Sequence, residues 1–323
     1  MSAVTSAVTS APPKKHNEDN DQIDNNDFAN SFLNLQELDM DLYLSQKTWK
    51  APFARGTYGG LTVCHCLYAA SETVPACFIL HSMHSYFLRP GDPTNSTIYR
   101  VQRTRDGQSF CSRTVFAIQN GKPILTLQAS FHKEQTETST GLEYQPVMPV
   151  VPHHSGLLNM REYAISISNN HSFSEYTRQL INQWVSARGP NLKGEPVRKP
   201  VDPEKHFRIV PNSDYTLLTW FKVPGNLGDD QNIHRCAAAY VSDYSLLYAA
   251  IPSTGQNFQP TMTASLDHSI WFHRSMKADE WMLFEAVGTQ MLNSRVLCHG
   301  RIWTGDGKLA ATVKQEGLVR GKL

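Results

Sequence analysis

At 323 residues the chain has room for about two domains of roughly 150 residues each. Hydrophobic residues make up 40% and charged residues 18% of it, which supplies a sizeable core and excludes wholesale disorder. Thirty Lys and Arg against 29 Asp and Glu leave a formal charge of +1, so a broad basic face for nucleic acid is not expected and a small substrate is.

No apolar run approaches the roughly 18 residues of a membrane-spanning helix; the longest candidate, residues 236 to 251, is interrupted by Ser242, Asp243 and Ser245. Residues 1 to 13 are small and hydroxylated, without the basic start and apolar centre of a secretory signal. The six cysteines, Cys64, Cys66, Cys77, Cys111, Cys236 and Cys298, sit in apolar or strand-like surroundings, as reduced core thiols do in an intracellular protein. Cys64-His65-Cys66 is too closely spaced for an ordinary zinc pair and has no second pair, so no metal is expected.

Residues 1 to 34 carry a Ser-Ala-Val-Thr echo, Lys14-Lys15 and the polar run 17 to 27, which cannot bury enough surface to order itself. Order is expected to begin near residues 32 to 44. Residues 59 to 70 are apolar on nearly every face, as a helix enclosed by protein is. Strands follow at 81 to 88, 98 to 104, 109 to 118 and 123 to 131, marked by alternation and by the turn pairs Asp106-Gly107 and Asn120-Gly121. Weak stretches at 134 to 154 and 189 to 205 bracket a linker with one helical segment, 174 to 187.

The order of signals then repeats, with an apolar helix at 236 to 251 and strands at 264 to 273, 281 to 289, 294 to 303 and 309 to 315. His84-Ser85 lines up with His268-Ser269, Ser112-Arg113 with Ser294-Arg295, and Gly121-Lys122 with Gly307-Lys308, at offsets of 182 to 186 residues. This is an internal duplication of a helix on a curved antiparallel sheet, a two-layer α+β arrangement whose copies can pair edge strands.

Asp243 lies between apolar runs, and a carboxylate buried there needs partners or a raised pKa. It either caps a helix that begins there or serves chemistry. The first copy carries no acid between Gly59 and Ala70, which favours chemistry. Ser265, before Asp267-His268, and Gln315, after the alternating run 311 to 314, are ordinary solvated strand ends by themselves. With Asp243 they form a carboxylate, hydroxyl and amide set able to hold one water, the carboxylate acting as base. No Gly-x-Ser-x-Gly elbow supports a serine nucleophile. His81 with His84, or His268 with His273, could suggest ligands, but residues an odd number apart on a strand face opposite ways, and a structural role is favoured for them. Gly59-Gly60 before a helix is a weak phosphate signal.

Tyr58-Gly59-Gly60, the run from His81 to Asp92, Arg105-Asp106-Gly107-Gln108-Ser109-Phe110, the run from Gln119 to Ile124, Ser242-Asp243-Tyr244, the run from Leu266 to Arg274 and Gln315-Glu316-Gly317 resemble the acyl-CoA thioesterase II family from about residue 50 onward. The resemblance implies a double hotdog fold divided as tail 1–34, N-terminal hotdog 35–135, linker 136–205 and C-terminal hotdog 206–323. It implies hydrolysis of fatty acyl-CoA to fatty acid and CoA without a cofactor, with Asp243, Ser265 and Gln315 positioning the attacking water. Ser265 stands where relatives often have Thr, keeping the hydroxyl, and Leu61 stands where they often have Gln. Arg89, Arg113, Arg274 and Arg295 are candidates for the CoA phosphates because arginine suits phosphate.

The terminal Gly321-Lys322-Leu323 differs from the peroxisomal address Ser-Lys-Leu only at its first, small residue. It implies a peroxisomal import receptor as partner and the peroxisomal matrix as location, with the cytoplasm as the alternative. Homo-oligomerisation is compatible with the fold. The competing functional reading is a catalytically silent acyl-CoA-binding or assembly subunit; an enoyl-CoA hydratase lacks the Asp and His pair it would need.

Overall fold

The computed structural model describes residues 28–45, 48–50, 54–133, 142–171, 173, 175–188, 194–202, 215–251 and 259–322. In chain order the elements are α1 (Phe28–Phe32), β1 (Gln36–Asp39), β2 (Leu42–Ser45), α2 (Gly59–Ser71), β3 (Phe78–Phe87), β4 (Thr97–Asp106), β5 (Phe110–Gln119), β6 (Lys122–Lys133), α3 (Met160–Ser168), α4 (Glu175–Arg188), β7 (Val197–Pro200), β8 (Thr216–Lys222), α5 (Gln231–Ser242), β9 (Gln259–Ser265), β10 (Asp267–Phe272), β11 (Met282–Leu292), β12 (Arg295–Trp303) and β13 (Leu309–Lys322). The strands form a single antiparallel sheet in the order β1-β2-β4-β5-β6-β3-β10-β13-β12-β11-β8-β7, with β9 paired to β13.

The two halves meet at β3 and β10, where Tyr86 opposes Asp267, Ser85 opposes His268 and Met83 opposes Ile270. Two edge strands thereby satisfy each other's backbone groups. On the inner face α2 and α5 pack against each other and run antiparallel, since Gly60 near the start of α2 lies against Tyr240 near the end of α5. Their contact is built from small residues and thiols: Cys64, Cys66, Ala69 and Ala70 on α2, and Cys236 to Ala239 on α5, all fully buried.

Both expected hairpins form, but Asp106-Gly107 is not a tight turn: Asp106 still pairs with Cys111, the chain reverses over residues 107–110, and Gly107 does not take a positive φ. Asn120 and Gly121 both take positive φ (50° and 73°) between β5 and β6, the conformation a two-residue turn of the primed kind requires. A further turn of this kind, Asn293-Ser294 (φ 52° and 61°), joins β11 to β12 and carries no glycine to announce it.

Several boundaries differ from the sequence expectation, each for a physical reason. The second helix begins at Gln231, where the Asp230 side chain accepts a bond from the Asn232 N–H, and stops at Ser242; a separate 3-10 turn covers Leu247–Ala250. The strand expected over 264 to 273 is two strands, because Leu266 breaks the register: Ser265 opposes Gly317 on β13, whereas Ser269 opposes Lys314. The last strand runs on to Lys322, so Gln315 is mid-strand. The linker holds a second helix, α3, with a capping box between Asn159 and Glu162, and an edge strand, β7, that pairs with β8. Cys77 is exposed while the other five thiols are buried.

Two of the sequence echoes also prove to differ in placement. His84 is exposed on the outer face while His268 is fully buried on the inner one, and Arg113 is buried while Arg295 is exposed. Only Gly121 and Gly307 occupy like positions, both in turns with positive φ.

Phe28, Phe32 and Leu33, inside the stretch assigned to the tail, belong to the core; residues 1 to 27 lie outside the described residues. Phe28 is 0% exposed and meets the Tyr240 ring edge-on at 5.3 Å between centroids, while His65 of α2 bonds the Phe32 carbonyl at 2.7 Å and the Tyr99 hydroxyl at 2.9 Å. Phe28→Ala should therefore cost about 3–5 kcal/mol. An unchanged urea midpoint in that variant would mean that the segment is not part of the folded core.

Candidate active site

Antiparallel packing of α2 and α5 brings the end of one helix to the start of the other. Asp243 is the C-cap of α5, so it does not cap a helix beginning there. Instead its Oδ2 accepts the Gly60 N–H of α2 at 2.7 Å. The first N–H groups of a helix have no partner within it, and the dipole there favours an anion; Asp243 supplies one from the other half of the chain. The approach depends on missing side chains. A Cβ on Gly59 would meet Asp243 Oδ2 at 2.9 Å, and one on Gly60 would meet the Tyr240 carbonyl at 2.6 Å. The Tyr58 hydroxyl, just before α2, donates to that same carbonyl at 2.7 Å and pins the two helix ends together.

The other carboxylate oxygen faces the sheet. Gln315 Nε2 donates to Asp243 Oδ1 at 2.6 Å and to Ser265 Oγ at 2.9 Å, and Ser265 Oγ stands 3.4 Å from Asp243 Oδ1. The structure thus brings Asp243, Ser265 and Gln315 together. Neither strand residue is a solvated end: Gln315 is 0% exposed and Ser265 is half-buried. The register break at Leu266 allows this arrangement. Ser265 and His268, three apart, would face opposite ways on a regular strand, and the extra residue turns both inward.

Burial pushes the Asp243 carboxyl up from the usual carboxylate range to about 6, while the bonds from Gln315, the Gly60 N–H and Ser265 pull it down. Some solvent access to the residue persists, although the carboxylate lies deep among protein atoms. An acid poised there is a base ready to take a proton near neutral pH.

Position 61, where a polar side chain was in question, holds a leucine buried in the core. The first copy does carry an acid at the matching helix end: Glu72 is the C-cap of α2. It is exposed, and Asp230, which already caps α5, raises its pKa by repulsion after burial does. The absence of an acid between Gly59 and Ala70 was therefore too short a window.

The remaining sequence candidates have structural partners. His81 bonds Ser130 Oγ at 2.8 Å and His84 bonds Ser269 Oγ at 3.2 Å. A bulge in β3 between Leu80 and Ser82 puts both histidines on the outer face, against the odd-spacing expectation. Arg113 is buried and saturated by Thr73, Arg105, Ser112 and Asp106, which removes it as a phosphate ligand. Arg89 donates to the Pro123 carbonyl, Arg274 pairs with Glu143 at 2.9 Å, and Arg295 with Glu316 at 3.6 Å. Among the described residues no group of three or more His, Cys, Asp or Glu is arranged to hold a metal, and no helix is long and apolar enough to cross a membrane. Sequence reasoning gave His268 a structural role and did not weigh Ser242, whose hydroxyl stands 2.9 Å from His268 Nε2; their only signal was a place beside Asp267 and Asp243 in the recognised motifs.

Among solved structures, an acyl-CoA thioesterase II from Mycobacterium marinum is similar over 90% of this chain and 96% of its own, with a TM-score of 0.66 and 31% identity. Fold and likeness together define a double hotdog thioester hydrolase. The sequence profile of the acyl-CoA thioesterase family matches residues 213–318, and that of the acyl-CoA thioesterase N-terminal domain matches residues 47–132. Acyl-coenzyme A thioesterase 8 of Rattus norvegicus is 36% identical over 90% of this chain and 88% of its own length; acyl-CoA thioesterase 2 of Haemophilus influenzae is 30% identical over 91% and 98%. A Saccharomyces cerevisiae protein named peroxisomal acyl-coenzyme A thioester hydrolase 1 is 25% identical over 89% and 93%. The chain belongs to the acyl-CoA thioesterase II family and hydrolyses acyl-CoA thioesters.

The raised Asp243 value has a consequence for stability. The native state holds a proton on Asp243 more tightly than the unfolded chain, whose value is about 3.9; the stability this contributes is complete below that value and lost as pH rises through about 6. Asp243→Asn has no such proton to lose. Its Tm relative to wild type should rise steadily between about pH 4 and pH 7; a flat difference across that window would mean that the carboxyl is not shifted.

Proposed function

We propose that hydrolysis proceeds by direct attack of a water positioned by Asp243, Ser265 and Gln315, with Asp243 as general base and no covalent intermediate. The observation that carries this reading is the Gln315 amide, which spans Asp243 Oδ1 and Ser265 Oγ with its two protons. The amide thereby fixes the lone pairs of both groups toward one point. Asp243 takes a proton from the water as its oxygen bonds to the thioester carbonyl carbon. The C–S bond then breaks, the carbonyl re-forms, and the proton on Asp243 passes to the departing CoA thiolate, giving fatty acid and free CoA.

The developing oxyanion needs a donor. The first turn of α2, whose leading N–H groups have no partner within the helix and of which Asp243 takes only that of Gly60, lies beside the base and suits that need. Positioning and one base are worth about 10² to 10⁴ in rate, which fits an electrophilic thioester without a metal. The apolar surroundings of Tyr58, Phe87, Tyr240 and Tyr244 suit a fatty acyl chain.

Thiol release from palmitoyl-CoA and shorter acyl-CoAs, followed colorimetrically, tests the assignment. Asp243→Asn should lower kcat by about 10² or more with the fold intact, Gln315→Ala should also lose turnover, and Ser265→Thr should retain it. Wild-type rates in Asp243→Asn would refute the base, and acyl-CoA binding without CoA release by the wild type would favour the silent-binder reading. In wild type, kcat/KM should fall as pH drops through about 6, because protonation removes the base.

We further propose that the enzyme resides in the peroxisomal matrix. Its supports are the Gly321-Lys322-Leu323 sequence and the name of the yeast relative; Leu323 itself lies outside the described residues. A fluorescent protein ending in the last ten residues should become punctate and co-localise with a peroxisomal marker. A diffuse signal would return the protein to the cytoplasm.

A further inference from the structure

The Gln315 amide has two ends of nearly equal shape, and its usefulness depends on which end faces Asp243. With the oxygen toward Asp243 Oδ1, two acceptors would stand 2.6 Å apart, so the NH2 group must face the carboxylate. Gln315 Oε1 is then directed away from the site, buried, and without a hydrogen-bond partner. A buried acceptor left unsatisfied is costly, which calls for a donor close by.

One side chain is placed to supply it. His268 is the cross-strand neighbour of Gln315, one rung beyond the Ser269–Lys314 pair of β10 and β13, and both side chains point inward and are 0% exposed. Its Nε2 stands 2.9 Å from Ser242 Oγ, and its Nδ1 is buried without a hydrogen-bond partner. Two orphaned atoms, an amide oxygen and a ring nitrogen, thus belong to directly opposed side chains on one face of the sheet, where Cβ atoms lie about 5 Å apart.

We propose that His268 is a positioning residue that orients the Gln315 amide: as the neutral Nδ1–H tautomer it donates to Gln315 Oε1, and Ser242 selects that tautomer by donating its hydroxyl proton to Nε2. The proton count requires this arrangement. Ser242 Oγ also lies 2.9 Å from the Ala239 carbonyl, but it has a single proton. If that proton goes to Ala239, Nε2 must carry the ring proton, and the Nδ1 lone pair faces an amide oxygen that has no donor. If it goes to Nε2, every buried group in the chain Ser242, His268, Gln315, Asp243 has a partner. Burial lowers the proton affinity of the ring to about 4, with Gln315 acting to raise it, so the ring is neutral at neutral pH and its tautomer is the variable that matters.

The inference rests on the reading of Asp243, Ser265 and Gln315 as the water-positioning set, and its first test needs no turnover. Long-range proton–nitrogen correlation spectra of the ¹⁵N-histidine-labelled enzyme, with the His268 signals assigned by their loss in His268→Asn, should show the Nδ1–H pattern; an Nε2–H or doubly protonated ring overturns the proposal. Ser242→Ala should move the ring away from a pure Nδ1–H state.

In kinetics, His268→Phe keeps the ring and removes both nitrogens, whereas His268→Asn restores an N–H donor near the Nδ1 position. The Phe variant should lose kcat by about 10²-fold, the order expected when a reacting group is misplaced, with KM little changed. The Asn variant should recover at least a tenfold part of that loss. A Phe variant whose Tm falls but whose folded fraction keeps wild-type kcat, or an Asn variant no better than Phe, overturns the proposal. Failure of the water-positioning reading is seen separately, as unimpaired turnover in Asp243→Asn.

Discussion

The bond from the Gly60 N–H to the Asp243 carboxylate is the constraint on which the site depends. It spans the two halves of the chain and two helix ends of opposite polarity. As the C-cap of α5, Asp243 stands where the helix dipole disfavours an anion; against the first turn of α2 it stands where a dipole favours one. Burial adds a cost to the charged form that neither end removes, and the result is a carboxyl poised near neutral pH rather than well below it. Moving the helices apart, or adding a Cβ at Gly59 or Gly60, would change that balance directly.

The sheet completes what the helices begin. Gln315 reaches the carboxylate because β13 runs past it as a long central strand, and Ser265 reaches it because the register breaks at Leu266. Backbone irregularity and buried polarity here have one purpose: they turn a hydroxyl, an amide and an imidazole inward on a face that is otherwise core. The opposite end of the helix pair lacks these elements. There Asp230 caps its own helix and Glu72 remains exposed, so the pseudo-symmetric copy has an acid without a partner helix end to hold it.

Much of this was legible in the sequence. Alternation, the Asn120-Gly121 turn and the two apolar helices gave the strands and the duplicated α+β layout, because each depends on local periodicity. Asp243 stood out as a carboxylate in an apolar run, and Ser265 and Gln315 followed from the family motifs. What escaped is what locality does not encode. The Asn293-Ser294 turn lacks the glycine that usually marks it. The bulges in β3 and at Leu266 reverse the facing of His81 and Ser265, and no side-chain pattern announces an inserted residue. β7 and α3 were hidden in a segment whose prolines suggested only a connection, although Pro200 sits at an edge strand where the missing N–H costs nothing. Phe28 was overlooked because the polar run before it dominates the composition.

The junction of β3 with β10 has a consequence for how such a molecule could arise. If each half were a separate subunit, the pairing would have to be strong enough to hold at cellular concentration, and both ends of the helix pair would be equivalent. Joining the halves by one linker makes their encounter intramolecular and so independent of the protein's concentration. Symmetry is then no longer enforced by identical sequence. One helix end can keep its glycines, its acid and its inward-facing amide, while the other drifts to an exposed Glu72 and a self-capped helix. Covalent fusion, on this view, is what permits a two-fold scaffold to concentrate its chemistry at a single end.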